Sequence, residues 1–128
     1  MVVVIDGLIR IQNACGRGYG VVKVVRSSFM YSVLSVLRRE GYIHGFKDGK
    51  WQMEVFIKRN KYKLKFRFMS RPSSRKYVAY DEVKRMYVRS RWMVVVSTSQ
   101  GVFSAREIVK GNMNIGGQVL FEVGILNG

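Results

Sequence analysis

From Lys61 to Phe68 the chain alternates without a break, with Lys61, Lys63, Lys65 and Arg67 at one set of positions and Tyr62, Leu64, Phe66 and Phe68 at the other. A period of two belongs to a β-strand, whose successive side chains point to opposite faces of a sheet. The chain is therefore committed to a sheet with its aromatics in the core and a row of cations on the opposite surface. Such a row is either a solvated face that keeps the strand from pairing with other chains, or a surface whose self-repulsion an anionic neighbour relieves.

The rest of the charge extends this picture. Among 128 residues, 23 Lys and Arg stand against 8 Asp and Glu, a formal charge of +15. Thirteen of those cations lie between Lys58 and Arg91, opposed there only by Asp81 and Glu82. Hydrophobic residues make up 48% of the chain, enough for a core, so this is not a disordered basic tail. A large unpaired positive field attracts polyanions. A membrane surface needs a basic amphipathic helix or a lipidation signal, and the sequence carries no obvious example of either. Nucleic acid is the expected partner, with no membrane and no small-molecule substrate.

Several kinds of chemistry drop out. Cys15 and His44 each stand alone, so there is no disulfide framework, no Cys-rich zinc site and no metal pair, and no cofactor is expected. An enzyme built on Ser99 or Cys15 lacks a histidine base marked by any local motif and lacks the glycine-x-serine-x-glycine elbow. No run of 18 apolar residues is present. Met1–Arg10 is broken by Asp6 and Gly7 and lacks the small-residue pattern of a cleaved signal.

The elements follow from periodicity and punctuation. Val4, Ile5, Leu8, Ile9 and Ile11 form a helical stripe over Val2–Gln12, which Cys15-Gly16-Arg17-Gly18-Tyr19-Gly20 then breaks. That glycine cluster follows a helix and precedes a strand, the wrong order for a phosphate-binding loop. Val21–Val25 reads as a strand. Ser27 or Ser28 caps a helix that ends at Arg38-Arg39-Glu40-Gly41. Tyr42–Lys47 reads as a strand leading into an Asp48-Gly49 hairpin turn, followed by the alternation of Trp51, Met53, Val55 and Ile57. The only proline, Pro72, marks a boundary. Beyond it the pattern predicts a short strand at Arg75–Val78, a helical turn at Asp81–Met86 and a buried strand at Trp92–Val96. Ser104-Ala105-Arg106-Glu107 is a capping box opening a helix that Gly111 ends, and Val119–Val123 is the last strand. The fold class is α/β (α+β) in two small subdomains, residues 1–69 and 70–128. The first is a helix-strand-helix-three-strand unit; the second is mainly β with a short helix and carries RNA binding.

Directly after the buried strand stands Ser97-Thr98-Ser99-Gln100-Gly101-Val102, a run of hydroxyls closed by a glycine. Such groups bond base edges, sugars and phosphates without the bulk of lysine or arginine. They are also ordinary strand-end residues. This segment, with Asp6–Asn13, Val36–Ile43, Ser70-Arg71-Pro72 through Tyr77, Asp81-Glu82-Val83 and Ile115–Leu120, resembles in order and spacing the bacterial-type small-subunit ribosomal protein eight family. The resemblance covers Asp6 to Val123.

The resemblance implies a structural constituent of the ribosome. Such a protein binds an irregular helix in the central domain of small-subunit ribosomal RNA, touches neighbouring ribosomal proteins and helps organise assembly. RNA of this kind is read through bulges, the minor groove and 2′-hydroxyls. By position, Ser97, Thr98, Ser99, Gly101, Gly116 and Gly117 take the contact role, with Gln100 and Gln118 beside them. Gly116 and Gly117 are expected to let the main chain approach the RNA, although a plain tight turn needs them equally. Arg10 and Asn13 match polar contacts of the first helix, and Ser70, Arg71 and Tyr77 match the loop and strand beside the RNA, next to Lys76. Arg26 and Ser27 at the entry to the second helix, and Lys61, Lys63 and Lys65 on the cationic strand, complete the set. Gln100 replaces the family's usual lysine and Gln118 its usual glutamate. Val88-Arg89-Ser90-Arg91 is longer and more basic than the family's glycine-containing stretch. One proline, seven each of Met, Tyr and Phe, and the basic excess point to an organellar member, mitochondrial ahead of plastid, with the bacterial cytoplasm as a further alternative. The family-like region begins almost at Met1, from which synthesis inside the organelle or prior trimming is expected. A basic RNA-binding regulator outside the ribosome is the alternative.

Overall fold

The structure, a computed structural model, describes residues 2–17, 20–57 and 62–127. The expectations for Gly18, Tyr19, Lys58 and Lys61, and for the side chain of Tyr62, fall outside the described residues. The chain divides into two compact units, Met1–Phe66 with Ile125–Gly128, and Arg67–Gly124.

The first unit opens with α1 (Val2–Arg17), β1 (Val21–Val25), α2 (Ser28–Arg39), β2 (Gly45–Lys47) and β3 (Gln52–Phe56). The three strands form an antiparallel sheet in the order β1-β3-β2. Val4, Leu8 and Ile11 of α1 are buried, as the stripe requires, and Ala14 continues it one turn further. That continued burial is why the helix runs on to Arg17 rather than stopping near Gln12. Gly7 brings α1 close to α2, since a Cβ there would lie 2.9 Å from the Met30 terminal methyl. Gln12 Oε1 accepts a hydrogen bond from the Phe66 amide at 2.9 Å, tying α1 to the cationic strand.

Helix α2 has its cap at Ser27, whose hydroxyl accepts from the Met30 amide at 3.0 Å. Met30, Val33, Leu34, Val36 and Leu37 are buried, as are Val24, Met53 and Val55 of the same unit. Each such side chain contributes about 1.5–3 kcal/mol by leaving water. At the other end Gly41 takes φ 82, and its amide bonds Arg38 O at 3.0 Å while Tyr42 N bonds Leu37 O at 2.9 Å. This paired closure is available only to a left-handed residue after the last turn. It also takes Tyr42 out of the sheet, so the strand expected from Tyr42 begins at Gly45. The register of Lys47 with Glu54 leaves Asp48 to Trp51 as a wider loop in place of a two-residue turn. Arg26 closes that loop through both Asp48 oxygens, at 3.0 and 3.3 Å.

The cationic strand is β4 (Tyr62–Phe68). Leu64 and Phe66 are buried, and Lys63, Lys65 and Arg67 are exposed, as alternation demands. The second unit adds β5 (Lys76–Val78), α3 (Tyr80–Arg89), β6 (Met93–Thr98), β7 (Gly101–Ser104), α4 (Ala105–Lys110) and β8 (Gly117–Asn127). Its sheet has the order β4-β8-β6-β7, with β5 also on β8. Helix α3 is a full helix where a single turn was expected, so this unit has two helices. Its apolar stripe is narrow, with Val83 alone fully buried and Tyr80, Met86 and Tyr87 partly so. Asp81 and Glu82 in its first turn and Arg89 in its last suit the helix dipole. Val94, Val96 and Val119 on one sheet face pack with Val83, Ala105 and Ile108 of the two helices.

The capping box of α4 is present: Ser104 Oγ accepts from Glu107 N at 3.0 Å, and Ser104 N donates to Glu107 Oε1 at 3.1 Å. Ser104→Ala should lower stability by about 1 kcal/mol in urea unfolding. A sharper test compares two glycines. A Cβ on Gly117 would overlap the Ser97 carbonyl oxygen, whereas one on Gly45 meets nothing within 4 Å. Gly117→Ala should cost at least ~1–3 kcal/mol; Gly45→Ala should leave the unfolding midpoint within about 0.5 kcal/mol of the parent.

Candidate RNA interface

Strand pairing places one polar row across the second unit's sheet. Tyr77 of β5 lies opposite Gln118 of β8, Gln118 opposite Ser97 of β6, and Ser97 opposite Val102 of β7. Cross-strand partners share a face, so this row lies on the face opposite Val96 and Val119, away from α3 and α4. Tyr77 is 66% exposed, a large aromatic surface left in water. The Gln118 Nε2 amide is buried with no hydrogen-bond partner. A buried donor left unpaired is costly to the fold.

The hydroxyl run is a hairpin, not a free loop leading into a helix. Ser97 and Thr98 end β6, Ser99 and Gln100 make the turn, and β7 runs from Gly101 into Ser104. The Thr98 hydroxyl is used internally, donating to Gly101 O at 2.8 Å and accepting from Gln100 N at 3.1 Å. That leaves Ser99, Gln100 and Gly101 exposed at the tip, on a turn Thr98 holds in shape. Strand β7 escaped the sequence pattern because its few residues stand between a turn and a strong helix start.

Gly116 and Gly117 are corrected in their role. A Cβ at Gly116 would overlap the Val78 carbonyl of β5, and one at Gly117 the Ser97 carbonyl of β6. The bare backbone is needed by the protein's own strands, which close here, as the tight-turn alternative requires. Ser70 is corrected too. It is 0% exposed, its hydroxyl donating to the Val119 carbonyl and accepting from Lys76 N at 2.8 Å. It fastens the loop to β8 and is out of reach of any ligand. Its neighbour Arg71 is exposed, on a turn closed by Arg71–Ser74 backbone bonds of 2.9 and 3.0 Å, and Lys76 is exposed beside it.

In the first unit, Arg10 and Asn13 stand exposed on one face of α1 with Arg17, at helical spacing. Together with Lys23 they line a shallow depression of about 380 Å³. Arg17 and Lys23 were missed in the sequence, although the spacing from Arg10 through Asn13 to Arg17 was there to be read. Arg10 also pairs with Asp6 at 3.3 Å. Arg26 and Ser27 are occupied in the Asp48 pair and the helix cap, and Lys63 and Lys65 point outward from β4. Lys61 lies outside the described residues.

No group of three or more His, Cys, Asp or Glu among the described residues could hold a metal. Burial pushes the Cys15 thiol up from its ordinary pKa, opposed in smaller measure by a hydrogen bond with the Leu64 backbone. The neutral thiol dominates at neutral pH, and the thiolate is the reactive form.

Fold and charge together define a small basic α+β protein of two units with an uncharged polar sheet face. The family described as ribosomal protein S8 matches residues 3–123. A protein of Campylobacter hominis named "Small ribosomal subunit protein uS8" is 36% identical over 126 residues, 92% of this chain and 94% of that one. Those of the same name from Nautilia profundicola and Thermus thermophilus are 34% and 32% identical, covering 94% and 92% of this chain and 96% and 94% of theirs. The chain belongs to the ribosomal protein S8 family.

Two outcomes are expected here. Ser70→Ala strands the Val119 carbonyl and the Lys76 amide and should cost about 1–3 kcal/mol in chemical denaturation. Cys15 should alkylate with iodoacetamide more slowly at pH 7.5 than an unburied thiol, and reach the unburied rate once the chain is unfolded in urea.

Proposed function

We propose that this chain is a structural constituent of the small ribosomal subunit that binds small-subunit ribosomal RNA, with no catalytic role of its own. Membership of the ribosomal protein S8 family over residues 3–123 carries that conclusion. The three relatives described above share the small-subunit name. Neighbouring small-subunit proteins are its further partners.

Within that function the second unit's polar face is the specific contact. The exposed tip Ser99-Gln100-Gly101 and the Tyr77 ring support it, because a hydroxyl, an amide and an aromatic plane suit an irregular RNA helix read by shape. Lys63, Lys65, Arg71 and Lys76, with Arg10, Asn13 and Arg17 of the first unit, supply affinity through phosphates. The target is an irregular helix of the central domain of that RNA. A mitochondrial ribosome is the proposed location. Its support is composition: a single proline, seven each of Met, Tyr and Phe, and a formal charge of +15.

Sedimentation tests the main conclusion. The chain should travel with small ribosomal subunits at moderate salt; recovery only in the light fractions would instead make it a free RNA-binding regulator. The division of labour has its own test. Ser99→Ala should weaken binding to the matched RNA helix by about 1–3 kcal/mol and leave a mismatched helix nearly unaffected. Lys63→Ala should weaken both alike and reduce the salt slope by about one phosphate's worth. Immunodetection in fractionated cells should find the chain with mitochondrial small subunits, and its presence only on cytosolic ribosomes would overturn that location.

A further inference from the structure

At the end of the β6–β8 ladder remote from the hairpin, the second unit holds a cavity of about 490 Å³. Arg67, Arg85, Arg89 and Arg91 line it, over a floor that includes Met86, Trp92 and Val94. Val94, on its floor, stands four residues before Thr98 at the hairpin, about 13 Å along an extended strand. The two places are separate surfaces of one sheet.

Arg67 is built as a platform. Its guanidinium carbon lies 4.1 Å from the centre of the Trp92 ring, and its Nη1 lies 3.3 Å from Glu122 Oε1. The Ser90 hydroxyl, with one hydrogen to donate, lies within reach of two acceptors, Glu122 Oε2 at 3.1 Å and the Trp92 carbonyl at 2.8 Å. Trp92 occupies the space that a side chain at Gly124 would need. Arg67 thus has a stacking partner and an acceptor, while its side chain remains 63% exposed. Arg85 is paired with Glu82 at 3.0 Å. Arg89 and Arg91 have no acidic partner among the described residues and flank the same cavity.

We propose that this cavity is a second RNA contact, holding one unstacked nucleotide with its base on the Arg67–Trp92 stack and its phosphate on Arg89 and Arg91. Guanidinium planes stack on bases, and apolar side chains such as Met86 and Val94 accept the rest of a base plane. The carboxylates of Glu82 and Glu122 decide against an acidic peptide. Each is already paired with an arginine, which leaves an acidic peptide fewer free cations, and each can accept hydrogen bonds from the amino groups of a base. The proposal goes beyond the hairpin contact and stands or falls separately from it.

The test uses the full chain carrying Trp51→Phe, which leaves Trp92 as its single tryptophan. A ten-nucleotide single-stranded oligoadenylate should change Trp92 fluorescence saturably. Arg89→Ala with Arg91→Ala should weaken that binding at least tenfold. A charge-matched control, Lys47→Ala with Lys110→Ala, should weaken it less than threefold. The proposal is overturned if the signal does not saturate, if both charge pairs weaken it equally, or if deca-glutamate produces the same response at the same concentration. Matched-helix binding separates the two contacts: a Ser99→Ala variant that still binds the matched helix at full strength overturns the hairpin contact and leaves the oligoadenylate result to judge the cavity by itself.

Discussion

The approach of β8 to β6 at Gly117 and Ser97 is the contact on which the second unit's surface depends. There two strands come so near that a single Cβ would overlap a carbonyl oxygen. Gly116 repeats the arrangement against β5. With both sides closed, Tyr77, Gln118 and Ser97 fall into one register, and Val96 and Val119 turn to the helices. A shift of one residue in β8 would exchange the two faces, putting Gln118 into the core and Val119 into water. The glycines therefore fix the register of the sheet through the close approach they permit.

The same economy runs through the hydroxyl groups. Ser70, Thr98, Ser104 and Ser27 all look alike in a sequence, and all four are engaged in holding backbone: a buried loop anchor, a hairpin turn and two helix caps. Ser99 projects from the tip that Thr98 shapes. A hydroxyl that caps a helix spends its acceptor on an amide, which lowers what it can offer a ligand. The exposed hydroxyl is thereby confined to a short segment whose geometry neighbouring hydroxyls have already set.

Charge in this protein is not one uniform field. Arg26, Arg67 and Arg85 each face a carboxylate, so their net contribution to a polyanion is reduced. Lys63 and Lys65 stand in the open. Unpaired cations of this kind contribute their full charge to the long-range field, whereas the paired ones are oriented by their carboxylates. Composition alone places all of these in the same column.

What the sequence determined by itself is whatever depends on neighbours along the chain. The alternation in β4, the stripe of α1, the cap at Ser27 or Ser28 and the capping box at Ser104 each involve residues within a few positions. The order of six motifs was enough for the family. Errors arose where a distant strand or a competing local bond took control. Tyr42 left β2 because closing α2 claimed its amide, and Cys15–Arg17 stayed helical because Ala14 found a core. Ser70 read as a surface hydroxyl until β8 covered it, forty-nine residues away. The pairing of Gln118 with Ser97, the burial of its amide and the stacking of Arg67 on Trp92 join residues well apart in sequence. No periodicity encodes such contacts, because only the closed sheet brings their side chains to one place.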